Sequence, residues 1–372
     1  MKKFLFCLLA GIVLTGCVNQ DMIVENANNA INIRDYKRAI SEIMRVESGK
    51  VASSDTLMLL LSEAYYGHVQ NPSYIKASTI IDMDFTKDGK QVVFSDFKDG
   101  KLVVFSYPEL REERVINLDG LVHGIDFSPS GNEFAAAMNN GDVHIYDFNT
   151  GKKIMDLSGH TARVRDVAYA DSTTLYSCSN DRNIIVWDLS TGKAIDKIPA
   201  HSLNVKSLKL SDDGKFLVSA SNDGTAIVWE KNSENKLDQK LKVVHGTNYI
   251  NEATLSPDNK ILITVSGDYN AKIWDVESGV MKNIIDLNEA GASVDISPDG
   301  KMAIIGGKRY VQFVDIENGK VLARYPVAND TVWRCAFLNN NEFAFVDSSH
   351  LHKGKFLEGK DLIEAAKTRI DN

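Results

Sequence analysis

Two histidines of the chain are each followed by the Ser and Asp of a nucleophilic catalytic triad, and a third histidine is followed by the Asp alone. The sets are His160 with Ser177 and Asp181, His201 with Ser219 and Asp223, and His245 with Asp268. In hydrolases an aspartate orients a histidine, and the histidine takes the proton from an attacking serine hydroxyl. Acyl-transfer chemistry is therefore the first hypothesis that these residue types raise.

The repetition of the sets favours a structural role over a catalytic one. A catalytic centre is needed once, whereas the three histidines recur 41 and 44 residues apart. A tryptophan also follows each aspartate by six residues, at Trp187, Trp229 and Trp274. A buried hydrogen-bonded network stabilises a fold when every member has a partner. We expect no catalytic residue among these sets, and we expect Asp223→Ala to reduce stability.

No other motif of catalysis, metal binding or cofactor binding is present in the sequence. It contains no G-x-S-x-G, no P-loop and no G-x-G-x-x-G, and its Cys and His residues lack the spacing of a metal cluster. The segment SHLHKG places His350 and His352 two residues apart, and we expect it to form a solvated turn. The sequence predicts no enzyme, no metal, no cofactor and no small-molecule substrate.

An internal repeat supplies the elements that must position these residues. Six segments align as strand, turn, strand, turn, strand, with an aromatic or apolar residue closing the third strand. These closing residues are Phe105, Tyr146, Trp187, Trp229, Trp274 and Val314, spaced by 41, 41, 42, 45 and 40 residues. A fourth, short strand follows each unit. Four strands in about 41 residues are typical of a β-propeller blade.

In these residues the chain resembles the WD-repeat family. The matching residues are Trp187-Asp188 and Trp274-Asp275 for the Trp-Asp dipeptide, and Gly159-His160 for the Gly-His signature. The resemblance covers roughly residues 73–370 and is strongest in the middle three units. It implies that the His, Ser, Asp and Trp sets lock the loops of each blade to its third strand.

The fold class predicted is all-β: a seven-bladed WD-repeat-type propeller over 73–372, preceded by a small α-helical region. The seventh blade is the least regular, because only 332–348 align well within it. A closing strand from the far end of the chain normally protects such an edge. The segment SYIKAST at 73–79 lies where that strand would come from. Closure by the C-terminal tail stays open as an alternative.

Residues 1–16 have the pattern of a secretory signal, with Lys2 and Lys3 before about a dozen apolar or small residues. The apolar run is shorter than the about 20 residues that span a bilayer. Leu14-Thr15-Gly16-Cys17 resembles the lipobox of bacterial lipoproteins. That resemblance implies cleavage before Cys17, a diacylglyceryl group on its sulfur and an amide-linked acyl chain such as palmitate. An ordinary signal peptide is the alternative.

Composition argues against a nucleic-acid partner. Removal of the signal leaves 40 basic against 50 acidic residues, without a basic cluster, so we expect no nucleic-acid partner.

The lipid would be the only membrane attachment, through a tether at 17–20. Val18 follows the lipid cysteine where aspartate would indicate inner-membrane retention, which favours an outer-membrane lipoprotein facing the periplasm. Cys178 and Cys335 are expected as buried free thiols.

Residues 21–70 form a separate helical region in this prediction. Ala27, Ala30, Ala39, Ile40 and Ile43 lie at helical spacing, and the stretch SSDTLMLLLSEAYYGHV begins with capping residues. The two segments resemble helices of tetratricopeptide repeats. A generic helical hairpin is the alternative.

The family resemblance also implies a partner-binding face, formed by residues that flank the start of each inner strand. Carried over by alignment, these residues are His123, Arg163, Arg165, Lys206, Tyr249, Asn251 and Trp333. Trp, Tyr and Arg dominate binding hot spots. Two alternatives stay open: burial of Trp333 in the seventh blade, and simple solvation of the two arginines.

The function predicted is a non-enzymatic, lipid-anchored scaffold that binds other cell-envelope proteins in assembling an outer-membrane, pilus or secretion complex. A surface-exposed adhesin or host-interaction lipoprotein would use the same face. A hydrolase or small-ligand sensor would need convergent polar residues in the channel, which the mostly apolar inner strands do not favour.

Overall fold

A computed structural model of the chain describes residues 20–46, 48–52, 54–68, 73–74, 79–232, 236–327 and 330–371. The described residues form two compact units. One contains those up to His68 together with those from Glu358 onward, and the other contains those between. The expected signal segment 1–16 and the expected lipid site Cys17 lie outside the described residues.

The larger unit is a seven-bladed β-propeller of four-stranded antiparallel sheets. Blades 1 to 3 contain β2 (Ile80–Phe85), β3 (Gln91–Asp96), β4 (Lys101–Ser106) and β5 (Glu112–Asn117); β6 (Val122–Phe127), β7 (Glu133–Met138), β8 (Asp142–Asp147) and β9 (Lys153–Ser158); β10 (Val164–Tyr169), β11 (Thr174–Ser179), β12 (Asn183–Asp188) and β13 (Lys193–Pro199). Blades 4 and 5 contain β14 (Val205–Leu210), β15 (Phe216–Ser221), β16 (Thr225–Lys231) and β17 (Leu237–Val244); β18 (Ile250–Leu255), β19 (Ile261–Ser266), β20 (Asn270–Asp275) and β21 (Met281–Asp286). Blades 6 and 7 contain β22 (Ser293–Ile296), β23 (Met302–Gly306), β24 (Tyr310–Asp315) and β25 (Lys320–Pro326); β26 (Arg334–Phe337), β27 (Glu342–Val346), β28 (His350–Lys355) and β1 (Ser73–Tyr74).

Burial changes from the inside to the outside of each blade. In blade 3, every residue of the second strand, β11, is buried, while the outer strand β13 contains only exposed and half-buried residues. The apolar cores lie between neighbouring blades, where the faces of two sheets pack together. This accounts for the largely apolar character of the two middle strands of each blade, because both of their faces are covered.

The N-terminal segment closes the ring. Strand β1 is the outer strand of blade 7, with Ser73 opposite Leu351 and Tyr74 opposite His350. The alternative of closure by the C-terminal tail is therefore wrong. His350 and His352 lie on strand β28, not in the turn expected for them, because this strand is needed to receive β1.

The smaller unit is helical. The helices are α1 (Gln20–Asn32), α2 (Tyr36–Ile43), α3 (Ser48–Ala52), α4 (Asp55–His68) and α5 (Gly359–Asp371). Ala27, Ala39, Ile40 and Ile43 are buried. The Ser54 hydroxyl caps α4 by accepting the Leu57 N–H at 3.4 Å. Apolar and capping positions in the sequence thus match helix faces and a helix start.

The C-terminal helix α5 corrects the predicted domain boundary. The sequence analysis placed all of 73–372 in the propeller, whereas residues from Glu358 onward belong to the helical unit. Helix α5 packs against α2, α3 and α4. Leu362, Ile363 and Ala366 form its buried stripe, at spacings that place them on one helix face. The amphipathic pattern was present in the sequence, but its partner helices lie about 300 residues earlier.

The structure also shows the state of the two cysteines and the length and polarity of the described helices. Cys178 and Cys335 are buried free thiols, as expected. Within the described ranges no helix is both long and apolar enough to cross a bilayer.

Candidate binding site at one mouth of the central channel

The residues of the first triad-like set form a continuous hydrogen-bonded network in blade 3. His160 Nδ1 lies 3.0 Å from Asp181 Oδ2, and His160 Nε2 lies 2.8 Å from Ser177 Oγ. The Trp187 indole N–H donates to the same hydroxyl at 2.7 Å. Asp181 also accepts the backbone N–H of Thr161 at 3.1 Å. The network therefore ties the loop before β10 to the third strand.

Blade 4 repeats this arrangement. His201 lies 3.2 Å from Asp223 and 2.8 Å from Ser219, and the Trp229 indole donates to Ser219 at 2.9 Å. Burial would raise the pKa of Asp223, but hydrogen bonds, chiefly from the Thr225 hydroxyl and a backbone N–H, outweigh it and lower the pKa to about 2. The carboxylate is thus held ionised by its partners.

Blade 5 contains a variant that the sequence analysis missed. Thr264 takes the place of serine, with its hydroxyl 2.6 Å from His245 Nδ1 and 3.0 Å from the Trp274 indole nitrogen. The other imidazole nitrogen lies 3.3 Å from Asp268. Threonine at the position matching Ser177 and Ser219 was the available signal, since its Oγ1 can make the same bonds.

The geometry of these networks does not suit nucleophilic catalysis. The Ser177 and Ser219 side chains have no solvent exposure, and each hydroxyl is already bound by a histidine and a tryptophan. A substrate carbonyl therefore has no route to either hydroxyl. What these side chains do is hold loops to strands.

A second group of side chains converges at one mouth of the channel because of β-bulges. In blades 1 to 5 the pairing register shifts near the start of the inner strand. The extra residues are Ile81, His123, Arg165, Lys206 and Asn251. A bulge re-aims the side chain of the inserted residue. All five of these residues line one cavity of about 360 Å³.

Two aromatic residues complete the rim of this cavity. Tyr249 is 38% exposed and Trp333 is 41% exposed. The Trp333 indole N–H donates to Ser348 Oγ at 3.2 Å, and the Lys206 ammonium lies 5.0 Å from the Tyr249 ring centre. The alternative in which Trp333 is buried in blade 7 is therefore wrong. Arg163 is exposed but does not line the cavity.

His123 lies below the rim instead of standing exposed on it. It is buried, with Nε2 3.2 Å from Asn139 Oδ1 and Nδ1 3.3 Å from the Arg165 guanidinium. Burial, followed by the charge of Arg165, lowers the pKa of His123 to about 4, so its ring is neutral at physiological pH. Its contacts support Arg165.

The floor of the cavity is a charged cluster that the sequence analysis did not foresee. The Arg334 guanidinium, from the inner strand of blade 7, bonds Asp82 at 2.7 Å and also bonds Glu252. Asp82 accepts the backbone N–H of Ile125 at 2.9 Å, and Glu252 accepts that of Val294 at 2.9 Å. Each carboxylate thereby joins its own blade to the next, and Arg334 joins blades 1, 5 and 7.

A second layer of charge lies further along the channel. Asp126 and Asp295 accept backbone N–H groups of the following blades at 2.6 and 2.8 Å. Burial, followed by the neighbouring Asp84, raises the pKa of Asp126 to about 7. The Lys209 ammonium lies 3.7 Å from Glu252. A second cavity of about 330 Å³ is lined by all of these residues except Glu252.

The expectation of apolar inner strands is therefore wrong. Asp82, Asp166 and Glu252 occupy one position in the inner strands of alternate units, so a signal was present in the alignment. The described part of the chain contains no group of three His, Cys, Asp or Glu side chains arranged to hold a metal ion.

Comparison with known proteins identifies the repeats. The family model "WD domain, G-beta repeat" matches residues 151–188, 192–230 and 238–275. Each match extends from the outer strand of one blade to the third strand of the next. The chain thus contains WD40 repeats arranged in a seven-bladed propeller.

Three of the similar proteins come from eukaryotes. WD repeat-containing protein 1 of Bos taurus is 32% identical over 112 residues, which are 29% of this chain and 18% of that protein. The anaphase-promoting complex subunit cdc20 of Dictyostelium discoideum is 29% identical over 118 residues, 32% of this chain and 23% of that protein. The B-type cell cycle switch protein ccs52A of Medicago truncatula is 29% identical over 119 residues, 32% of this chain and 25% of that protein. The chain spans a quarter or less of the length of these relatives.

Proposed function

We propose that this protein is a non-enzymatic scaffold that binds partner proteins through the mouth surface, defined as Arg165, Lys206, Tyr249, Asn251 and Trp333. WD40 propellers typically mediate protein–protein interaction. The observation that carries the proposal is the exposed Tyr249–Trp333 rim around a polar cavity. Exposed aromatic residues beside partly buried cations are the composition of an interface hot spot.

The finer part of the proposal concerns location. Cys17 carries the lipid, the protein faces the periplasm from the outer membrane, and its partners are other envelope proteins in an outer-membrane, pilus or secretion assembly. The helices of 21–70 act as a tetratricopeptide-like adaptor. The support is the lipobox-like sequence and an analogy at the level of fold.

Crosslinking and co-purification from intact cells tests the binding surface. Wild type is compared with Tyr249→Ala/Trp333→Ala and with the matched control Ile154→Ala/Ile284→Ala, which truncates two side chains about half exposed on outer strands. We expect wild type and the control to recover the same envelope complex and the rim variant to lose it. Equal recovery by all three folded proteins would contradict the proposal.

Membrane fractionation with Cys17→Ser tests the anchor. The expected result is loss of palmitate labelling together with retention of residues 1–16, seen as a higher mass, because cleavage at a lipobox follows lipidation of the cysteine. A variant that is still labelled, or cleaved as wild type is, would contradict the anchor. Protease treatment of intact cells separates the periplasmic scaffold from a surface-exposed adhesin, because only the adhesin would be digested without breaking the outer membrane.

A further inference from the structure

The cations at the mouth surface are not neutralised by the protein itself. Arg165 Nε is buried and has no hydrogen-bond partner, and its Nη1 contacts only the neutral ring of His123. Beside it, Ser207 lines the same cavity, and its buried hydroxyl also has no partner. Unpaired buried donors are costly, so a site that keeps them is a candidate for an acceptor supplied from outside.

Lys206 also lacks a counter-ion within the described part of the protein. Its ammonium donates to Asn251 Oδ1 at 2.7 Å and lies over the Tyr249 ring, but it has no carboxylate within salt-bridge distance among the described residues. Asn251 is itself fixed by donating to the Gly291 carbonyl at 2.7 Å. Burial, followed by the charge of Arg165, lowers the pKa of Lys206 to about 8. The two cations therefore repel each other without a counter-ion between them.

The charge of the whole cavity limits what the counter-ion can be. The lining contains four cations, Arg165, Lys206, Lys308 and Arg334, and three carboxyl groups, Asp82, Asp166 and Glu252. Arg334 is engaged by Asp82 and Glu252. The formal excess is one positive charge, which suits a single carboxylate. A phosphate dianion would add a second negative charge above the acidic floor.

We infer that the cavity takes one carboxylate from an Asp or Glu side chain on an exposed segment of the partner protein, bound by the Arg165 guanidinium and the Lys206 ammonium. This inference rests on the proposed function and names the chemistry of the partner at the same surface. An apolar neighbour of that acidic residue packs on Trp333 and Tyr249. Arginine and lysine on a carboxylate give charge-assisted bonds in a partly desolvated site.

Selection from a random 12-residue phage-displayed peptide library on the full-length protein tests the inference. Wild type is compared with Arg165→Met and Lys206→Met, and with the matched control Lys215→Met, whose side chain is 71% exposed. Arg165→Lys provides a second variant that keeps the charge. Intrinsic tryptophan fluorescence melts verify that each protein is folded. Sodium acetate and inorganic phosphate are then compared as competitors of a selected peptide.

The expected result is enrichment of peptides that share an Asp or Glu beside an apolar residue. Binding falls at least tenfold with Arg165→Met, with Lys206→Met, or when the peptide acid is changed to its amide, and stays unchanged with Lys215→Met. Selected peptides without Asp or Glu that bind wild type but not a Trp333→Ala variant would overturn the inference that the ligand is a carboxylate. They would still support the mouth surface as the binding site. Displacement by phosphate at concentrations where acetate fails would overturn the single-charge ligand. Recovery of no peptide dependent on Arg165 would overturn the inference itself.

Discussion

Replacement of Arg334 by methionine isolates the energetic role of the charged channel floor. Methionine keeps much of the side-chain length, but it leaves Asp82 and Glu252 as buried carboxylates without their shared cation. Removal of one partner of a buried pair costs about 3–5 kcal/mol, because the remaining charge is uncompensated. Here Lys209 lies 3.7 Å from Glu252 and supplies part of the lost charge. We therefore expect a cost near the lower end, about 3 kcal/mol.

Urea unfolding followed by tryptophan fluorescence measures this cost. All four tryptophans lie in the propeller, so the signal reports that unit and not the helical one. The matched control is Lys90→Met, since that ammonium is 80% exposed beside Asp88, which is 56% exposed, and such surface pairs contribute about 0–1 kcal/mol. Adding Glu252→Gln to the Arg334 variant should recover part of the stability, because one stranded charge is removed. A loss below about 1 kcal/mol, or no recovery in the double variant, would refute the role assigned to Arg334.

Three further predictions concern the networks, the channel carboxyls and ring closure. Asp223→Ala should cost about 2–3 kcal/mol in urea unfolding by leaving its donors unpaired, whereas the exposed Asp212→Ala should cost little; equal costs would contradict the network. Because the pKa of Asp126 is raised to about 7, its protonated form favours the fold, and this contribution to stability should be lost as the pH rises from about 4 to about 7. Asp126→Asn does not titrate, so relative to this variant wild type should lose on the order of 1–3 kcal/mol over that rise in pH; parallel profiles would contradict the shift. The double substitution Ser73→Pro/Tyr74→Pro should weaken the pairing of β1 with β28, lower the melting temperature and increase aggregation on warming. An unchanged melting temperature would contradict closure of the ring by this strand.

The repeat period made the blades and their networks predictable. A strand-turn-strand unit that recurs every 40 to 45 residues fixes where each His, Asp and Trp must lie relative to its neighbours. The same alignment located Arg165, Lys206 and Asn251 at matching points of their inner strands. The family resemblance supplied the expectation that they share one face, while the bulge that makes them converge, repeated in five blades, was not predicted from the sequence.

The charged floor was not predictable in this way. Arg334 and Asp82 are separated by 252 positions, and Arg334 and Glu252 by 82, so no local pattern pairs them. Their contact exists only because the ring closes and brings seven inner strands around one axis. The same reason applies to α5, whose apolar stripe is visible in sequence while its partner helices are at the other end of the chain.

Site-specific photo-crosslinking in living cells tests the central claim most directly. A photoreactive phenylalanine analogue replaces Trp333 at the rim in one strain and Ile284 on an outer strand in another. We predict one discrete crosslinked partner from position 333, lost when Arg165→Met is added, and none from position 284. An equal crosslink from position 284, or no crosslink from position 333, would contradict the claim that partners bind at the mouth of the channel.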